Sequence, residues 1–528
     1  MRFKGISRKF LSISAVALLM GSAAFAQTVT LRSMDGSVSM TGELVEFDGE
    51  NYILKTMLGN LSILADEVEC IGDCPDLLDV DFRLSGSSTI GNTLIPGIFR
   101  AFAGGFGLAL EQLPSDTEGV TKYSFVLPDG NPFADVDIYS FGSETAFKAL
   151  LEGSAEIVMS TRAVRPDEAE QLIAAGLGDP YDAANQIVAA LDGVVIIVPD
   201  SNPVKSLSVA EMAGIFSGAI TNWLQVGGPD MAINLYRRND ASGTTTDFTR
   251  VVFHDVNATF APNAKTYNDD ADLVAAVKAD PAGIGFTSIA AQGDLRAVPV
   301  RGTCGFVSEP SEFTIKTGEY PLARRVYFYT SSVRTASRAQ DRADKMTGFL
   351  NFVQSPAGQE AVAKAGFVDQ TITSLPVEAQ GRRLINSMLD TQNDATFRRV
   401  QKVFAELANA DRLSSTFRFK SGIAQLDAQA VGDIPRLAEL IRSTDLSGKE
   451  VVLAGFSDAA GTGGQNEILS KRRAQQVLDA LKAELGGDAA KVPMVAIGFG
   501  EVAPLGCNDT AEGKAVNRRV EVWIRDKG

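Results

Sequence analysis

Histidine is nearly missing from this chain: among 528 residues the one histidine is His254. Hydrolytic enzymes that work through a metal or a general base draw on histidine or on clustered ligands. The sequence offers no Cys/His pairing and no metal-ligand cluster, which argues against an enzyme and calls for no cofactor and no metal. Positive charge is also short, with 49 Lys and Arg against 65 Asp and Glu and a net charge of −16. Nucleic acid requires clustered cations, so it is excluded as a partner. Beyond the amino terminus no segment reaches the roughly 20 apolar residues of a membrane span. Cysteine is limited to four residues, too few for a disulfide scaffold at this length.

What is present begins with a secretory pattern. Arg2, Lys4, Arg8 and Lys9 precede an apolar run from Phe10 to Met20, and Ala24-Phe25-Ala26 is a small-residue cleavage box. Residues 1–26 therefore read as a signal peptide, whose removal leaves the mature chain near −20. Cys70 and Cys74 enclose three residues, and in an oxidising compartment that spacing suits a small disulfide loop. Cys304 and Cys507 fall in different domains and either pair across an interface or stay free.

The length corresponds to about three or four domains. Residues 27–80 show short alternating apolar runs separated by Asp35-Gly36, Asp48-Gly49 and Gly59-Asn60 turns, the pattern of a small β domain, barrel or sheet. Residues 81–375 alternate strand-like and helix-like periods, the mark of an α/β region built from βαβ units. Residues 376–411 carry helical spacing (Phe397, Val400, Val403, Phe404, Leu407) and read as a connector. Residues 412–528 form a second α/β unit.

Four strand-to-helix turns of the central region are rich in hydroxyls: Ser88-Thr89, Ser143, Ser160-Thr161 and Ser242-Gly243-Thr244. In the last, Arg238 lies four residues before Ser242. Backbone N–H groups at a helix start, hydroxyls and a guanidinium are all donors, and together they suit an oxyanion. Each turn alone also fits an ordinary helix N-cap. Such turns gather at the carboxyl ends of strands in α/β folds.

The string Asn202-Pro-Val-Lys-Ser-Leu-Ser-Val-Ala-Glu-Met-Ala-Gly-Ile-Phe-Ser-Gly-Ala-Ile-Thr-Asn-Trp223, then Val226-Gly-Gly-Pro229 and Arg238-Asn-Asp-Ala-Ser-Gly-Thr244, resembles the periplasmic phosphate-binding components of ABC transporters. The resemblance covers roughly 82–375. It implies a two-lobed fold hinged by two crossovers, with 82–192 and the residues after about 300 in one lobe and 193–300 in the other. It also implies a phosphate or related oxyanion held by Ser88, Thr89, Ser143, Ser160, Thr161, Arg238, Ser242, Gly243 and Thr244, with Asp240 holding the arginine, and an ABC permease as a partner. Thr161 departs from the best-known members, which carry an aspartate there to accept the proton of phosphate. Anion discrimination is left open by that change.

In the last unit, Val451–Gly455 reads as a strand, and Arg473 falls inside the apolar stripe of the helix that follows. A buried arginine must snorkel or find an anion, and an internal Asp458–Arg473 pair would serve. Phe456-Ser-Asp458, Asn466, Leu469-Ser-Lys-Arg-Arg473-Ala474 and Asn517-Arg-Arg519-Val-Glu-Val522 resemble the OmpA-like peptidoglycan-binding domain. That implies a grip on the peptide stem by Asp458 and Arg473, supported by Asn466 and Arg519. The expectation is an exported anion-binding protein in the periplasm, tethered to the wall at the inner face of the outer membrane. A wall adapter with a degenerate cleft and a phosphate-ester hydrolase are the rival readings.

Overall fold

The computed structural model describes residues 27–33, 36–47, 51–56, 59–64, 67–72, 80–182, 184–254, 256–336, 340–381, 385, 388, 393–419 and 428–527. The expected signal peptide, 1–26, lies outside them. Two compact units result, 1–78 and 79–528.

The first unit is an antiparallel sheet of five strands, in the spatial order Gly59–Leu64, Asn51–Thr56, Ser39–Phe47, Gln27–Ser33 and Val68–Gly72. Alternation places Val29, Leu31, Tyr52 and Leu54 on its buried face, as the two-residue period of a strand requires. Cys70 on its last strand is disulfide-bonded; Cys74, its expected partner, lies outside the described residues.

The second unit begins with a two-lobed α/β region. Lobe one is built on parallel strands Phe82–Gly86, Pro132–Tyr139 and Ile157–Ser160. Its core centres on Phe99, Phe102, Phe125 and Phe349, stacked edge to face at 5.1–6.3 Å. Lobe two is built on Asn234–Arg238, Lys265–Tyr267 and Gly283–Ser288, again parallel. There Phe248 lies flat on Phe286 with ring centroids 4.1 Å apart; deleting such a ring costs about 3–5 kcal/mol.

Two strands join the lobes. Gln186–Val198 and Ala323–Tyr329 run antiparallel, with Asp192 opposite Arg324. Lobe two therefore extends from about 193 to 322, and the chain returns near Ala323 rather than near 300. The segment between belongs to the core of lobe two, where Ile315, Tyr320 and Leu322 are buried.

The carboxyl-terminal domain is a sheet ordered Ser374–Pro376, Ala410–Arg418, Arg519–Asp526, Lys449–Phe456, Met494–Gly498. Helices Ala428–Ser443 and Gly463–Leu485 cover one face. The other face is covered by helix Asp394–Leu407, whose Val400, Val403 and Leu407 meet Val452, Phe456 and Trp523. The expected connector is thus part of this domain, because its apolar stripe completes the second side of the sheet. No helix among the described residues is long and apolar enough to cross a membrane.

Cys304 of lobe two is disulfide-bonded to Cys507 of the carboxyl-terminal domain. Beside it Thr303 donates to Asp509 at 2.9 Å. Non-reducing peptide mapping should recover the Cys304–Cys507 cross-link. Replacing both by serine should lower the unfolding free energy by about 2–4 kcal/mol, since the bridge closes a very long loop; unchanged thermal or denaturant unfolding would contradict that role.

Candidate functional site

The cleft forms where the carboxyl ends of strands from both lobes meet. Phe82–Gly86 delivers Ser88 and Thr89, and Asn234–Arg238 ends on Arg238, which is fully buried. From lobe two, Arg238 Nη2 donates to Ser88 Oγ of lobe one at 2.9 Å and to the Asn268 carbonyl at 2.6 Å, and Nη1 reaches Thr89 Oγ1 at 3.4 Å. Its counter-ion is Asp270, on the first turn of helix Asp270–Lys278. Thr89 and Thr287 donate to the two oxygens of that carboxylate at 2.7 and 2.8 Å. Burial alone would raise the pKa of Asp270, but Arg238 and the two hydroxyls outweigh it and hold the carboxyl below the usual aspartate range.

Asp240 does not hold Arg238. It is exposed and pairs with Arg237 at 2.6 Å, because the turn after the strand aims it outward. Asp269, just before Asp270, takes the N-cap role by accepting from Asp272 N at 2.8 Å. Asp270 is thereby free to turn inward, and an Asn-Asp-Asp string gives no sign of which aspartate does which.

The other hydroxyl turns converge beside Arg238. Ser242 caps helix Gly243–Val252 and accepts from Thr244 N at 3.2 Å. Ser143 opens helix Ser143–Glu152 in lobe one, and its Oγ lies 3.3 Å from Thr161 Oγ1 and accepts from Thr161 N at 3.2 Å. The two helix starts face each other at Gly243. A Cβ there would stand 2.2 Å from Thr161 Oγ1 and 2.5 Å from Ser143 Oγ. Gly142 approaches equally closely, its φ of 106° and a prospective Cβ 2.2 Å from the Ala241 carbonyl both demanding glycine. Thr246 donates across the lobes to Glu144 at 2.8 Å. Ser160 is spent locally, its hydroxyl donating to the Arg162 carbonyl at 2.7 Å.

A second guanidinium reaches the same helix. Arg324 donates to Thr244 Oγ1 at 3.0 Å while paired with Asp192 at 2.6 Å and Asp247 at 3.4 Å, all three charges buried. Neither Asp270 nor Arg324 stands out in sequence, because each contacts the site from well beyond the Arg238–Thr244 motif. In sum, hydroxyls, helix amino termini and the Arg238 guanidinium are brought together from two lobes, which is chemistry for an oxyanion.

In the carboxyl-terminal domain, Asp458 follows the strand Lys449–Phe456 and Arg473 lies in helix Gly463–Leu485. Asp458 is paired with Arg518 at 2.7 Å and accepts from Ala460 N at 3.1 Å. Arg473 is buried with its guanidinium 5.3 Å over the Phe419 ring. Burial pushes its pKa down to about 10, Arg518 adds to that, and Asp458 opposes it. Asn466 is buried on the same helix, and its amide nitrogen makes no hydrogen bond in this arrangement. Arg519 is used elsewhere: it pairs with Glu521 at 2.6 Å, donates to the Ala503 carbonyl at 2.8 Å and stacks 4.2 Å from Phe456. Arg518, its neighbour, ends the helix Ala511–Asn517 just ahead of the strand Arg519–Asp526 and is the arginine beside Asp458.

Comparison with known proteins finds matches in two separate stretches of the chain. Residues 127–357 match the family described as PBP superfamily domain, and residues 418–518 match the OmpA family. The Phosphate-binding protein PstS of Bacillus subtilis is 28% identical over 257 residues, spanning 48% of this chain and 77% of that protein. Protein SphX of Synechococcus elongatus is 29% identical over 249 residues, 45% of this chain and 70% of that protein. A solved ABC-type phosphate transport receptor from Vibrio cholerae aligns over 54% of this chain and 99% of its own, with 22% identity and a TM-score of 0.39. The chain joins a PBP superfamily domain to a carboxyl-terminal OmpA family domain.

Proposed function

We propose that the two lobes capture phosphate and that the carboxyl-terminal domain holds the protein on peptidoglycan. The carrying observation is Arg238, which links Ser88 and Thr89 of one lobe to Asp270 of the other in a desolvated cleft. In this reading the protein is exported to the periplasm, sits at the wall on the inner face of the outer membrane and delivers its ligand to an ABC permease. It binds and releases without chemistry, so a chromogenic phosphomonoester should not turn over. Wall binding uses Asp458 and Arg473 as a carboxylate and a cation for the zwitterionic end of a peptide stem.

Calorimetric titration of the mature protein with phosphate should give at least micromolar affinity, about −8 kcal/mol. Arg238→Ala should weaken it by about 2–5 kcal/mol, because it removes a charged donor and leaves Asp270 unpaired. With Thr161 in place of a carboxylate, sulfate should compete measurably, and Thr161→Asp should suppress sulfate more than phosphate. No heat from any small oxyanion would sink the assignment.

Asp270→Asn should destabilise the ligand-free lobes by about 3–5 kcal/mol, the cost of breaking a buried pair. The pKa of Asp270 is depressed, so its contribution is complete above the ordinary aspartate value of 3.8 and disappears as the pH falls through the lower folded value. Thermal melts should therefore show a wild-type-to-variant gap that stays constant down to a pH near 3.8 and closes as the pH falls from there to the lower folded value.

Asp458→Ala and Arg473→Ala should each abolish most co-sedimentation with purified peptidoglycan, with circular dichroism unchanged. Wild-type sedimentation should hold through neutral pH and fall as the pH passes about 10, where Arg473 discharges.

A further inference from the structure

A cavity of about 1030 Å³ lies between the crossover strands of the two-lobed region and the carboxyl-terminal domain. Eight arginine and lysine side chains line it against three aspartates, in a chain whose overall charge is −16. Much of that positive charge is already answered. Arg162 and Arg165 pair with Glu144 and Glu168, Arg250 and Arg324 share Asp247, and Lys316 pairs with Asp369 and Glu312.

The surplus is contributed by the two domains together. Arg325, beside Tyr327 on the returning crossover strand, makes no ion pair among the described residues, and its neighbour in space is Arg436 on helix Ala428–Ser443. Arg436 has one carboxylate, Asp433, at 2.9 Å. Burial holds the Arg436 pKa below the usual arginine range; Asp433 opposes this and the Arg325 cation adds to it. Two cations of separate domains, crowded at one wall of a wide cavity, repel each other until an anion comes between them. Arginine suits phosphoryl oxygens in particular, since its planar fork donates two parallel hydrogen bonds.

The space is at the upper end of the 300–1,000 Å³ typical of ligand pockets and far exceeds one small oxyanion. Thr161, Thr246, Asp247 and Arg324 also line it, so it opens onto the edge of the cleft, while Arg238, Ser88 and Thr89 do not line it.

We propose that this interdomain cavity is a second anion site, separate from the cleft, which takes a compound bearing two or more linked phosphoryl groups between Arg325 and Arg436. The cleft holds one oxyanion enclosed by two lobes, whereas the cavity spans the junction of the lobes with the wall-binding domain. A ligand there would tie the two domains together by charge, in addition to the Cys304–Cys507 bridge.

The test is calorimetry on the mature full chain with tripolyphosphate as probe. Wild type should bind it at a site that inorganic phosphate, at concentrations saturating the cleft, does not block. Arg238→Ala should keep this binding. Arg325→Gln combined with Arg436→Gln should weaken tripolyphosphate at least tenfold and leave inorganic phosphate binding unchanged, the latter showing that the variant is folded. As a measurement free of substitutions, wild-type affinity for tripolyphosphate should fall steeply with added salt, because the cavity charges are solvated. Loss of tripolyphosphate binding in Arg238→Ala, or full retention in the double variant, would overturn the proposal. Failure of inorganic phosphate to bind, with tripolyphosphate retained, would count against the cleft assignment alone and support the second site.

Discussion

Where the two crossover strands pass, Asp192 and Arg324 face each other in register and out of contact with water. Every oxygen of the carboxylate is used. One accepts from Arg324 Nε and Nη2 at 2.8 and 2.6 Å, and the other from Ser288 and the Gly193 amide at 2.7 Å each. A buried pair is tolerable only when satisfied in this way, because desolvation otherwise exceeds the attraction. Arg324 also reaches Thr244 and Asp247 on the helix that opens the cleft. Asp247 carries a raised pKa, since burial outweighs the two arginines beside it. One guanidinium therefore positions both crossings and the ligand loop, and moving any of them disturbs the other two.

Arg238 plays the corresponding part between the lobes. The contacts that close the cleft are polar: Arg238 to Ser88, Thr89 to Asp270, Thr246 to Glu144. Most apolar packing stays within each lobe, in two separate aromatic cores, with Val368 joining the second core and Ala290 touching the first. Such a division suits a molecule that must open. Hydrogen bonds exchange readily for water at a modest net cost of about 0.5–1.5 kcal/mol each, whereas a shared apolar core would weld the lobes together.

The carboxyl-terminal domain grips lobe two. Besides the disulfide, Arg412 of its first long strand is fully buried, pairs with Glu319 of lobe two and lies 3.4 Å from Glu521 of its own sheet. Its guanidinium sits 5.3 Å over Phe313. Glu521 also accepts from Arg519 and Trp523, so the anchor between the domains runs into the centre of the carboxyl-terminal sheet. These contacts fix lobe two against the carboxyl-terminal domain.

Much of this architecture is local in origin. Alternating and helical periods, glycine turns and hydroxyls ahead of apolar stripes are written over stretches of ten to twenty residues, and the strands, the helix that Ser143 opens and the N-cap at Ser242 follow from them. Partner choice is different. Asp240 is two positions from Arg238, yet the carboxylate that meets the guanidinium is Asp270. Arg519 and Arg518 differ by one position, yet the first begins a strand and pairs with Glu521 of its own sheet, while the second caps the preceding helix and pairs with Asp458. The return of the chain at Ala323, the union of Cys304 with Cys507 and the cavity between domains likewise depend on segments brought together from far apart. Sequence by itself determined which elements form and which residue types they present; only the tertiary structure decided which charges meet, because a buried charge pairs with whatever the packing places within reach.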